Sequence, residues 1–576
     1  MNLTFSSKAL VIIAFSLIVA CSLKAQKNDI SIDEDFDDWD AISLSNNDGE
    51  DVSKGIDLLN FKATNDEDNL YIFCEFANEI NLVNNIFTQD LILHFDLDNN
   101  ASTGQQIQEK YGIDLSVDFL AREAYYYAGA NIKTLYFGDL GFLSAPTVST
   151  FKIEIAIDLD AKVDGVKLFS ADSVAILFQD KNSGDRMPNI GEVFNYVFQS
   201  NENKDYTPID LNKSADEFIR AITYNVLFNS GWAGADKLKN LKSISQSLDG
   251  DIYAFQESSG TSASEAVDYF NTWLPIDNGT WYARKSGGLI TVSKWPILDS
   301  WVINRQLATL IELPEAYGTN FFVVNAHLSC CSNNNGRQDQ VDEFCSFLRD
   351  AKTKGGDIDL EENTPIVYLG DFNLVGYNQQ VETIMNGDIQ NTGKYGAPFL
   401  PDWDSSALAD AKPYQADAAK VYTWRSFGNG RIYPPGRLDY QFYTDSELAL
   451  EKTFVLNTAT MSTERLTKYD LNAEDTDLTA DHLPVVADYS IIDEATSNNG
   501  IEKSNIKIFP NPANGSINIT STQKVNLIKI IDLSGKAHLT EKSPTSIIQL
   551  GHLKPGIYLL EIYAQDQKVI KKLYIN

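Results

Sequence analysis

A change of hydrophobic periodicity along the chain constrains the fold more than any other feature. Residues 26 to 205 and 505 to 576 contain short runs in which apolar and polar residues alternate between polar turns. Such runs predict strands with one buried face. Between these regions, strand-like runs alternate with helical stretches such as Ala235 to Leu248, as they do in α/β domains. The sequence therefore predicts a multidomain protein in which an amino-terminal all-β sandwich and a small carboxy-terminal β-sandwich flank an α/β region.

The length of 576 residues is too great for one hydrophobic core, so several domains are expected. Polar stretches at Asn201–Ala215 and Glu494–Ser504 supply the boundaries. The predicted segments are a signal peptide 1–25, a β-sandwich 26–205, a central domain 217–491, a linker 492–504 and a carboxy-terminal sandwich 505–576.

The net charge of −34 and the pI near 4.4 limit the partners of the protein. A broad basic surface for nucleic acid is not expected on such a chain. An enzyme that acts on phosphates is less affected, because bound cations supply positive charge locally. The acidic balance therefore argues more strongly against a nucleic-acid-binding module than against a metal-dependent hydrolase.

The first residues are organised like an export signal. Lys8 precedes an apolar run from Ala9 to Ala20, which is too short to span a bilayer comfortably. Cleavage after Ala25 would release a soluble protein, whereas a lipobox ending at Cys21 would lipidate it, and we favour the first. No other candidate span follows in the sequence, so no stable membrane span is expected.

Three phrases near the carboxy terminus occupy matching positions in a known family. They are Pro510-Asn511-Pro512, Asp532-Leu533-Ser534-Gly535-Lys536 and Gly556-Ile557-Tyr558. The segment resembles the carboxy-terminal sorting domain of type IX secretion substrates. This resemblance implies the type IX secretion machinery as a partner. It also implies that the protein is secreted or held on the outer surface of a Gram-negative bacterium.

The amino-terminal sandwich carries two phrases, Ile32 to Trp39 and Asp66 to Tyr71, that resemble family-nine carbohydrate-binding modules. This resemblance implies a glycan as partner. Oxygen ligands also concentrate beside a Gly turn of this domain, as they do in calcium sites: Asp96, Asp98, Asn100 and Asp114. A structural Ca²⁺ and a metal-free acidic turn both fit, because Asp and Asn favour turns as well.

The five cysteines form neither a disulfide scaffold nor a zinc-ligand spacing: Cys21, Cys74, Cys330, Cys331 and Cys345. Cys330 and Cys331 are adjacent in the chain. A vicinal disulfide, a disulfide to Cys345 and paired free thiols therefore all stay open.

In the central region, polar residues able to bind a metal or transfer a proton follow the strand-like runs. They belong to Thr223-Tyr224-Asn225-Val226, Phe255-Gln256-Glu257-Ser258, Asn325-Ala326-His327-Leu328, Gly370-Asp371-Phe372-Asn373, Arg437-Leu438-Asp439-Tyr440 and Ala480-Asp481-His482-Leu483-Pro484. Side chains at strand ends converge at the edge of a sheet. Each phrase alone has a structural explanation, such as a strand cap at Asn225 or a core histidine at His327.

Taken together and in this order, the phrases resemble those of the endonuclease/exonuclease/phosphatase superfamily. Lesser phrases agree: Gly287-Gly288-Leu289-Ile290, Trp295-Pro296, Arg337 with Gln340, and Thr423-Trp424. The resemblance implies a central α/β four-layer sandwich, in which two packed sheets are flanked by helices. It also implies hydrolysis of phosphoester bonds by metal-assisted attack of water on phosphorus.

The resemblance implies Mg²⁺ as the cofactor, with Mn²⁺ or Ca²⁺ as alternatives. Hard cations of this kind prefer oxygen ligands, and Mg²⁺ needs only one or two carboxylates because it keeps several waters. Glu257 is the expected principal ligand, with Asn225 and Asp481 beside it.

The remaining site residues handle protons and the phosphate. By the family's pattern, His482 is the base that activates water or orients phosphate, and Asp439 holds its imidazole. Asp371 and Asn373 would orient the water and the phosphate. His327 would stabilise the phosphoryl oxygens or assist the leaving group.

The expected function is that of an extracellular nuclease or another phosphodiesterase, with DNA or RNA as candidate substrates. A phosphomonoesterase or a phospholipid phosphodiesterase of the same superfamily is an alternative. The lipid substrate loses support because Leu328-Ser329 follows His327, where bacterial sphingomyelinases have a histidine-leucine-glutamine phrase. The alternative outside enzymes is a surface-displayed glycan-binding protein with a degenerate central domain, and the intact motifs argue against it.

Overall fold

The computed structural model describes residues 29–82, 90–108, 110–129, 131–426 and 433–492, and most of the strands between 507 and 575. The predicted signal peptide, with Cys21, and nearly all of the predicted linker lie outside these residues. Contacts divide the chain into two compact units, Met1–Asp445 with Leu450–Tyr489 and Ser446–Ala449 with Ser490–Asn576. The protein is multidomain and mostly β, with few helices. Within the described part, no helix has the length and apolar character needed to cross a membrane.

The amino-terminal region consists of strands, most of which form two facing sheets and four of which form two separate hairpins. Their bounds are β1 Asn46–Asn47, β2 Leu58–Asn65, β3 Asn69–Ile80, β4 Leu91–Asp96, β5 Gln105–Gln108, β6 Tyr111–Ile113, β7 Leu115–Asp118, β8 Glu123–Ala128, β9 Asn131–Leu135, β10 Leu143–Ala145, β11 Thr150–Asp158, β12 Lys162–Val163, β13 Val166–Lys167, β14 Ser173–Asp180, β15 Arg186–Met187 and β16 Phe194–Val197. One sheet has the order β1-β2-β3-β11-β10 and the other β15-β14-β4-β7-β8-β9. Phe61 and Ile155 of the first sheet share a core with Phe95 and Phe178 of the second.

The central region mixes strands and helices. Its elements are β17 Ile219–Asn225, α1 Ala235–Leu248, β18 Ile252–Gln256, α2 Ala263–Trp273, β19 Tyr282–Ser286, β20 Leu289–Ser293, β21 Ile297–Ile303, β22 Gln306–Ile311, β23 Phe321–His327, α3 Asn334–Ala351, β24 Ile366–Asp371, α4 Gln379–Asn386, α5 Thr392–Tyr395, β25 Ala409–Asp410, β26 Asp439–Tyr443, β27 Leu448–Val455, α6 Thr463–Lys468, α7 Asp475–Thr479 and β28 Val485–Ile491. One sheet has the order β19-β20-β18-β17-β28-β27, and the other β21-β22-β23-β24-β26-β25.

These central sheets pack face to face through buried side chains, including amides. Gln256 of β18 donates to Asn325 Oδ1 of β23 at 2.8 Å, and Gln441 of β26 donates to Val485 O of β28 at 3.0 Å. The alternation of strand side chains places Ile222 and Tyr224 of β17 in a core shared with α1 and α2, on the opposite face of their sheet. Helix α3 shares a second core with β23 and β24.

The central helices form where apolar residues recur at helical spacing. In α3, Val341, Phe344, Cys345 and Leu348 are buried along one face, and the ring of Phe344 stacks on that of Tyr368 with centroids 3.7 Å apart. The Asn333 side chain caps the start of this helix by accepting from Gly336 N.

The carboxy-terminal region contains strands β29 Lys507–Phe509, β30 Ser516–Thr520, β31 Val525–Asp532, β32 Ala537–Lys542, β33 Ile547–Gln549, β34 Gly556–Ala564 and β35 Gln567–Ile575. They form sheets of the order β29-β30-β33 and β32-β31-β34-β35. Ile517 of the first sheet shares a core with Ile530 and Leu560 of the second.

Cys74 and Cys345 are buried free thiols. Cys345 is buried in α3, and its thiol donates to Thr383 O at 3.1 Å. The expectation of a disulfide to Cys345 is therefore wrong, because that thiol points into the helix-packed core. Cys330 and Cys331 are exposed, with their sulfur atoms 2.6 Å apart.

Candidate active site

The strand directions bring the predicted site residues to one edge of the central sheets. β17 and β18 run parallel, as do β23 and β24, so their carboxyl ends point the same way within each sheet. β26 and β28 run antiparallel to their neighbours β24 and β17 and therefore begin where those strands end. The strand ends at this edge carry Asn225, Glu257, His327, Asp371, Asp439 and His482.

A cleft of about 1360 Å³ opens at this edge. Most of the predicted site residues line it: Glu257, His327, Asp371, Asn373, Asp481 and His482. Asn225 and Asp439 are fully buried and contact the lining residues by hydrogen bonds. The structure thus brings the eight predicted active-site residues to one place.

The backbone at the strand ends is unusual, and it aims side chains into the cleft. Glu257 (φ +55°) and Asn373 (φ +50°) both adopt left-handed conformations that non-glycine residues rarely take. Gly370 is required for a different reason, since a Cβ there would lie 2.0 Å from Ala326 O of the neighbouring strand. Strained backbone conformations of this kind persist only where surrounding contacts fix them.

His482 and Asp439 form a hydrogen-bonded pair. His482 Nδ1 lies 2.8 Å from Asp439 Oδ2, and because a carboxylate only accepts, Nδ1 carries the proton. Thr423 donates to the same carboxylate oxygen at 2.7 Å. Burial acts to lower the pKa of His482, but the negative charges of Asp439 and Asp371 outweigh it and raise that pKa to about 10. The imidazole thus has a fixed tautomer and a strong tendency to hold a proton.

Asp371 lies between the histidines. Its Oδ2 is 3.7 Å from His482 Nε2 and 3.6 Å from His327 Nε2, and its Oδ1 accepts from Asn373 N at 3.0 Å. Burial is the main cause that raises the pKa of Asp371 to about 7, with Asp439 adding to it and His482 opposing it. Burial thus weakens the tendency of this carboxyl group to ionise.

Asn225 connects this group to Glu257. Its side-chain nitrogen donates to Asp371 Oδ2 at 2.9 Å and to Glu257 Oε1 at 3.2 Å. Its Oδ1 accepts from Leu227 N at 3.0 Å, which fixes the amide orientation. The other Glu257 oxygen accepts from Phe228 N at 2.6 Å. Asn225 thus positions two carboxylates, whereas its own oxygen faces the backbone.

His327 is held in the neutral form. Burial, followed by the positive charges of Arg305 and His482, lowers the pKa of His327 to about 3. Arg305 Nη2 lies 3.2 Å from His327 Nδ1, and a guanidinium only donates, so Nδ1 accepts and Nε2 carries the hydrogen. That N–H points toward Glu257 Oε1 at 3.8 Å. His327 is therefore a neutral hydrogen-bond donor toward the cleft.

Asp481 has one satisfied and one unsatisfied oxygen. Trp424 Nε1 donates to Oδ2 at 3.0 Å, while Oδ1 is buried without a hydrogen-bond partner among the described residues. A buried carboxylate oxygen without a hydrogen-bond partner destabilises the folded protein unless a cation or water binds to it. The geometry therefore suits a cation ligand at Asp481.

Sequence reasoning missed two arginines of the cleft, Arg305 and Arg122. Arg305 lies in the turn between β21 and β22, and Arg122 belongs to the amino-terminal sandwich. Neither position follows a strand-like run with a recognisable phrase, so no sequence signal marks it. Trp424, by contrast, belongs to a phrase of the resemblance, although its contact with Asp481 was not predicted.

The predicted calcium ligands also lie together. Carboxylate oxygens of Asp96, Asp98 and Asp114 lie within 4.8 Å of one another. Asn100 lies in the same turn, where its backbone N–H donates to Asp96 and to Asp98 at 3.0 Å each. Burial raises the pKa of Asp114 to about 6.

Two segments of the chain match known families. Residues 222–462 match the Endonuclease/Exonuclease/phosphatase family, and residues 507–576 match the Secretion system C-terminal sorting domain. Neither match covers the amino-terminal sandwich, so its resemblance to carbohydrate-binding modules stays a prediction. No curated protein matches the chain by sequence.

Several solved structures are similar to about half of the chain. ANGEL2, a 2′,3′-cyclic phosphatase, is 15% identical and covers 47% of this chain and 95% of its own, with a TM-score of 0.31. TDP2 of D. rerio, complexed with single-strand DNA product, is 14% identical and covers 48% and 100%, with a TM-score of 0.32. An endonuclease/exonuclease/phosphatase family protein from Leptotrichia buccalis is 14% identical and covers 47% and 99%, with a TM-score of 0.31.

The sorting domain makes this a protein of the type IX secretion route, secreted or held at the outer cell surface, and residues 222–462 of its chain match the Endonuclease/Exonuclease/phosphatase family.

Proposed function

We propose that the protein is an extracellular, metal-dependent hydrolase of phosphoester bonds, and specifically a nuclease or another phosphodiesterase. The observation that carries the proposal is the position of Asn225, whose amide donates to Asp371 and to Glu257 at once. One side chain thereby holds the carboxylate expected to bind a metal beside the carboxylate expected to orient water. Metal-assisted attack of water on phosphorus needs these two groups side by side.

A divalent cation fits the oxygen donors of the cleft. Glu257 keeps 17% of its side chain exposed, and Asp481 has its unsatisfied buried oxygen. Mg²⁺, with Mn²⁺ or Ca²⁺ as alternatives, would be held by these carboxylates. When bound, the cation neutralises charge on the nonbridging oxygens and lowers the pKa of bound water. Asn225 supports the site through Glu257, because its own oxygen accepts from Leu227 N.

His482 is the proton-handling group of the proposed mechanism. Asp439 fixes Nδ1–H, so the second ring nitrogen, Nε2, is the one that meets water or phosphate. Protonated, Nε2–H donates to a nonbridging oxygen and orients the phosphate. Neutral, Nε2 accepts a proton from the attacking water. Asp371 lies 3.7 Å from this nitrogen, and Asn373 N donates to Asp371; the two residues would orient the water and the phosphate.

His327 stabilises the phosphate by hydrogen bonding in this mechanism. Because its pKa is lowered to about 3, it is not the imidazolium that would act as a general acid on a leaving group at neutral pH. Its Nε2–H still donates a hydrogen bond to a phosphoryl oxygen as negative charge grows there. Of the two roles expected from the sequence, stabilisation of the phosphoryl oxygens is the one that a neutral imidazole supports.

The substrate is the least constrained part of the proposal. The family fold hosts phosphomonoesterases, phospholipid phosphodiesterases and nucleases alike. The net charge of −34 repels DNA and RNA at long range, so a polyanionic substrate depends on the cleft cations and the metal for docking. We favour a phosphodiester, with DNA or RNA as the substrates to test first.

The test is a substrate panel with purified mature protein, with and without chelator. The panel contains plasmid DNA, RNA, sphingomyelin, nucleotides and inositol phosphates. Nicking of plasmid DNA that chelation abolishes and added Mg²⁺ restores supports the nuclease proposal. Release of phosphate from nucleotides alone would replace it by a phosphomonoesterase. Absence of metal-dependent hydrolysis on every substrate would contradict the enzyme proposal itself.

We also propose a structural Ca²⁺ at Asp96, Asp98, Asn100 and Asp114, because the carboxylate oxygens of the three aspartates converge and Asn100 lies in the same turn. For the domain organisation, we propose the boundaries 26–205, 217–491 and 505–576, with the central domain as a four-layer sandwich. The packing of α1 and α2 with the first central sheet and of α3 with the second supports that architecture.

A further inference from the structure

Arg122 belongs to the amino-terminal sandwich but lines the cleft of the central domain. It lies in the turn between β7 and β8, where its φ of +58° is left-handed. Ala121 N donates to Asp118 Oδ1 at 2.8 Å and ties this turn to the end of β7. The Arg122 guanidinium lies 4.5 Å from the ring centroid of Tyr433, which also lines the cleft. A cation of one region is thus stacked on an aromatic ring of another at the cleft wall.

Among the described residues, the Arg122 side chain has no ion pair and no hydrogen bond. The chain as a whole has 80 acidic and 46 basic residues, so a cation without a carboxylate partner at the cleft is an uncommon local source of positive charge. Arg305, the other guanidinium of the cleft, is already bonded to His327 O at 2.7 Å. Arg122 is therefore the arginine of the cleft that is available for a ligand.

The position of Arg122 is fixed by bonds between the sandwich and the loop that follows Asn373. Thr147 Oγ1 donates to Leu374 O at 2.7 Å, and Ser149 N donates to Gly376 O at 2.8 Å. Asn81 Nδ2 donates to the same carbonyl of Gly376 at 3.1 Å. Donors from the sandwich thus satisfy the backbone of the segment that continues from the site residues Asp371 and Asn373.

A second anchor joins the sandwich to the segment before Asp439. Arg437, two residues earlier in the chain, pairs with Glu34 of the sandwich at 3.4 Å and with Asp410 of the central region. Its guanidinium also lies 4.1 Å from the Tyr440 ring centroid. Both segments that carry catalytic carboxylates are therefore held against the sandwich, the region to which Arg122 belongs.

We propose that Arg122, stacked on Tyr433, forms a subsite for a phosphate of the substrate other than the one that is cleaved. The inference rests on the proposed function and narrows it to substrates with at least two phosphates, such as oligonucleotides. Arginine suits this role because its planar fork binds phosphate through paired, charge-assisted hydrogen bonds. The Tyr433 ring holds the Arg122 guanidinium in place, so the side chain loses less conformational entropy when phosphate binds.

The experiment measures binding with substrates that differ by one phosphate. The probes are thymidine dinucleotides with a phosphorothioate linkage, which resists cleavage, carrying no terminal phosphate, a 5′ phosphate or a 3′ phosphate. Dissociation constants are measured by calorimetry with the full-length mature protein in Mg²⁺. The variants are Arg122→Gln, Arg122→Lys and a matched control, Lys133→Gln. Lys133 lies on the neighbouring strand β9, pairs with Asp164 and is outside the cleft lining.

The parent protein is expected to bind one of the phosphorylated dinucleotides about tenfold more tightly than the plain one, as a charge-assisted contact provides. Arg122→Gln should remove this preference, Arg122→Lys should keep part of it, and Lys133→Gln should keep all of it. Equal binding of all three dinucleotides by the parent, or an unchanged preference in Arg122→Gln, overturns the subsite. These outcomes are independent of the hydrolysis panel, so a preference that persists in a protein without hydrolysis would refute the proposed function and leave the subsite standing.

Discussion

At the scale of single residues, the site depends on charges that neighbouring side chains hold in place. We expect Glu257→Ala and His482→Ala each to abolish hydrolysis without unfolding the domain, because each removes the group itself. Asp439→Asn keeps the size of the side chain but removes the charge that orients His482 and raises its pKa. It should lower kcat/KM by about 10²–10⁴-fold, the usual contribution of a positioned proton-transfer group. Steady-state rates on the best panel substrate and melting curves measure both effects.

The matched control for these carboxylate changes is Asp339→Asn. Asp339 lies on α3 and pairs with Lys394 at 3.1 Å on the surface, an interaction of small energetic value. This variant should keep the parent rate and melting temperature. Full activity in Glu257→Ala or in His482→Ala would remove the proposed mechanism, and an equal loss in Asp339→Asn would show that the losses are not specific.

Residues of the site could be predicted from sequence where they close a strand-like run in a recognisable phrase. Asn225, Glu257 and His482 were found in this way, and the structure brings them to the cleft. Arg122 and Arg305 could not be found, since each lies in a turn whose proximity to the site depends on how whole sheets pack. The amide orientation of Asn225 could not be predicted from the sequence either, because it is set by Leu227 N and by carboxylates from two other strands.

At the scale of elements, the turn after β4 should bind calcium and stabilise the sandwich. Ca²⁺ bound to the folded state alone raises the melting temperature, by about 2–4 °C for a domain of this size when the site is near saturation. We expect this rise with CaCl₂ and its loss with a calcium chelator, measured by scanning calorimetry. Asp98→Asn should remove the rise, because it removes one charged ligand of the proposed site. The variant should still fold, because Asp98 is exposed and lies outside the core.

The control for the calcium site is Asp160→Asn, in an exposed pair with Lys162 outside the turn. It should respond to calcium as the parent does. A parent protein without any calcium-dependent rise, or an Asp98→Asn variant with the full rise, would favour the metal-free acidic turn that the sequence also allowed.

Elements with strong periodicity and end signals were the most predictable. The predicted helix Ala235 to Leu248 has the same bounds in the structure, since Leu241, Ile244 and Leu248 recur at helical spacing. Helix α2 was missed, although Ser262 and Glu265 form the capping box that announces it. Strand direction was not predictable, because the antiparallel pairing of β28 with β17 joins segments far apart in sequence.

At the scale of the whole molecule, more contacts join the sandwich to the central domain than the sequence suggests. The patterns predicted a module with its own function, whereas the structure groups both regions in one compact unit. The bonds that join them, such as Glu34 with Arg437 and Thr147 with Leu374, involve single residues outside the strands and helices. Such residues have no periodicity, so a sequence offers no sign that they are buried against another domain.

The sandwich belongs to the same compact unit as the central domain, whereas the sorting domain belongs to another, so truncations at the two ends should have different effects. A chain that begins at Tyr206 lacks the donors to Leu374 O and Gly376 O and leaves Arg437 without Glu34, and each intramolecular hydrogen bond exchanged for water costs about 0.5–1.5 kcal/mol. We expect this chain to melt at a lower temperature and to lose activity on every substrate. A chain that ends at Ile492 should keep the parent rate, because the sorting domain lies in a separate compact unit. Parent-like melting and rates in the first truncation would mean that the sandwich is a detachable module and plays no part in the cleft.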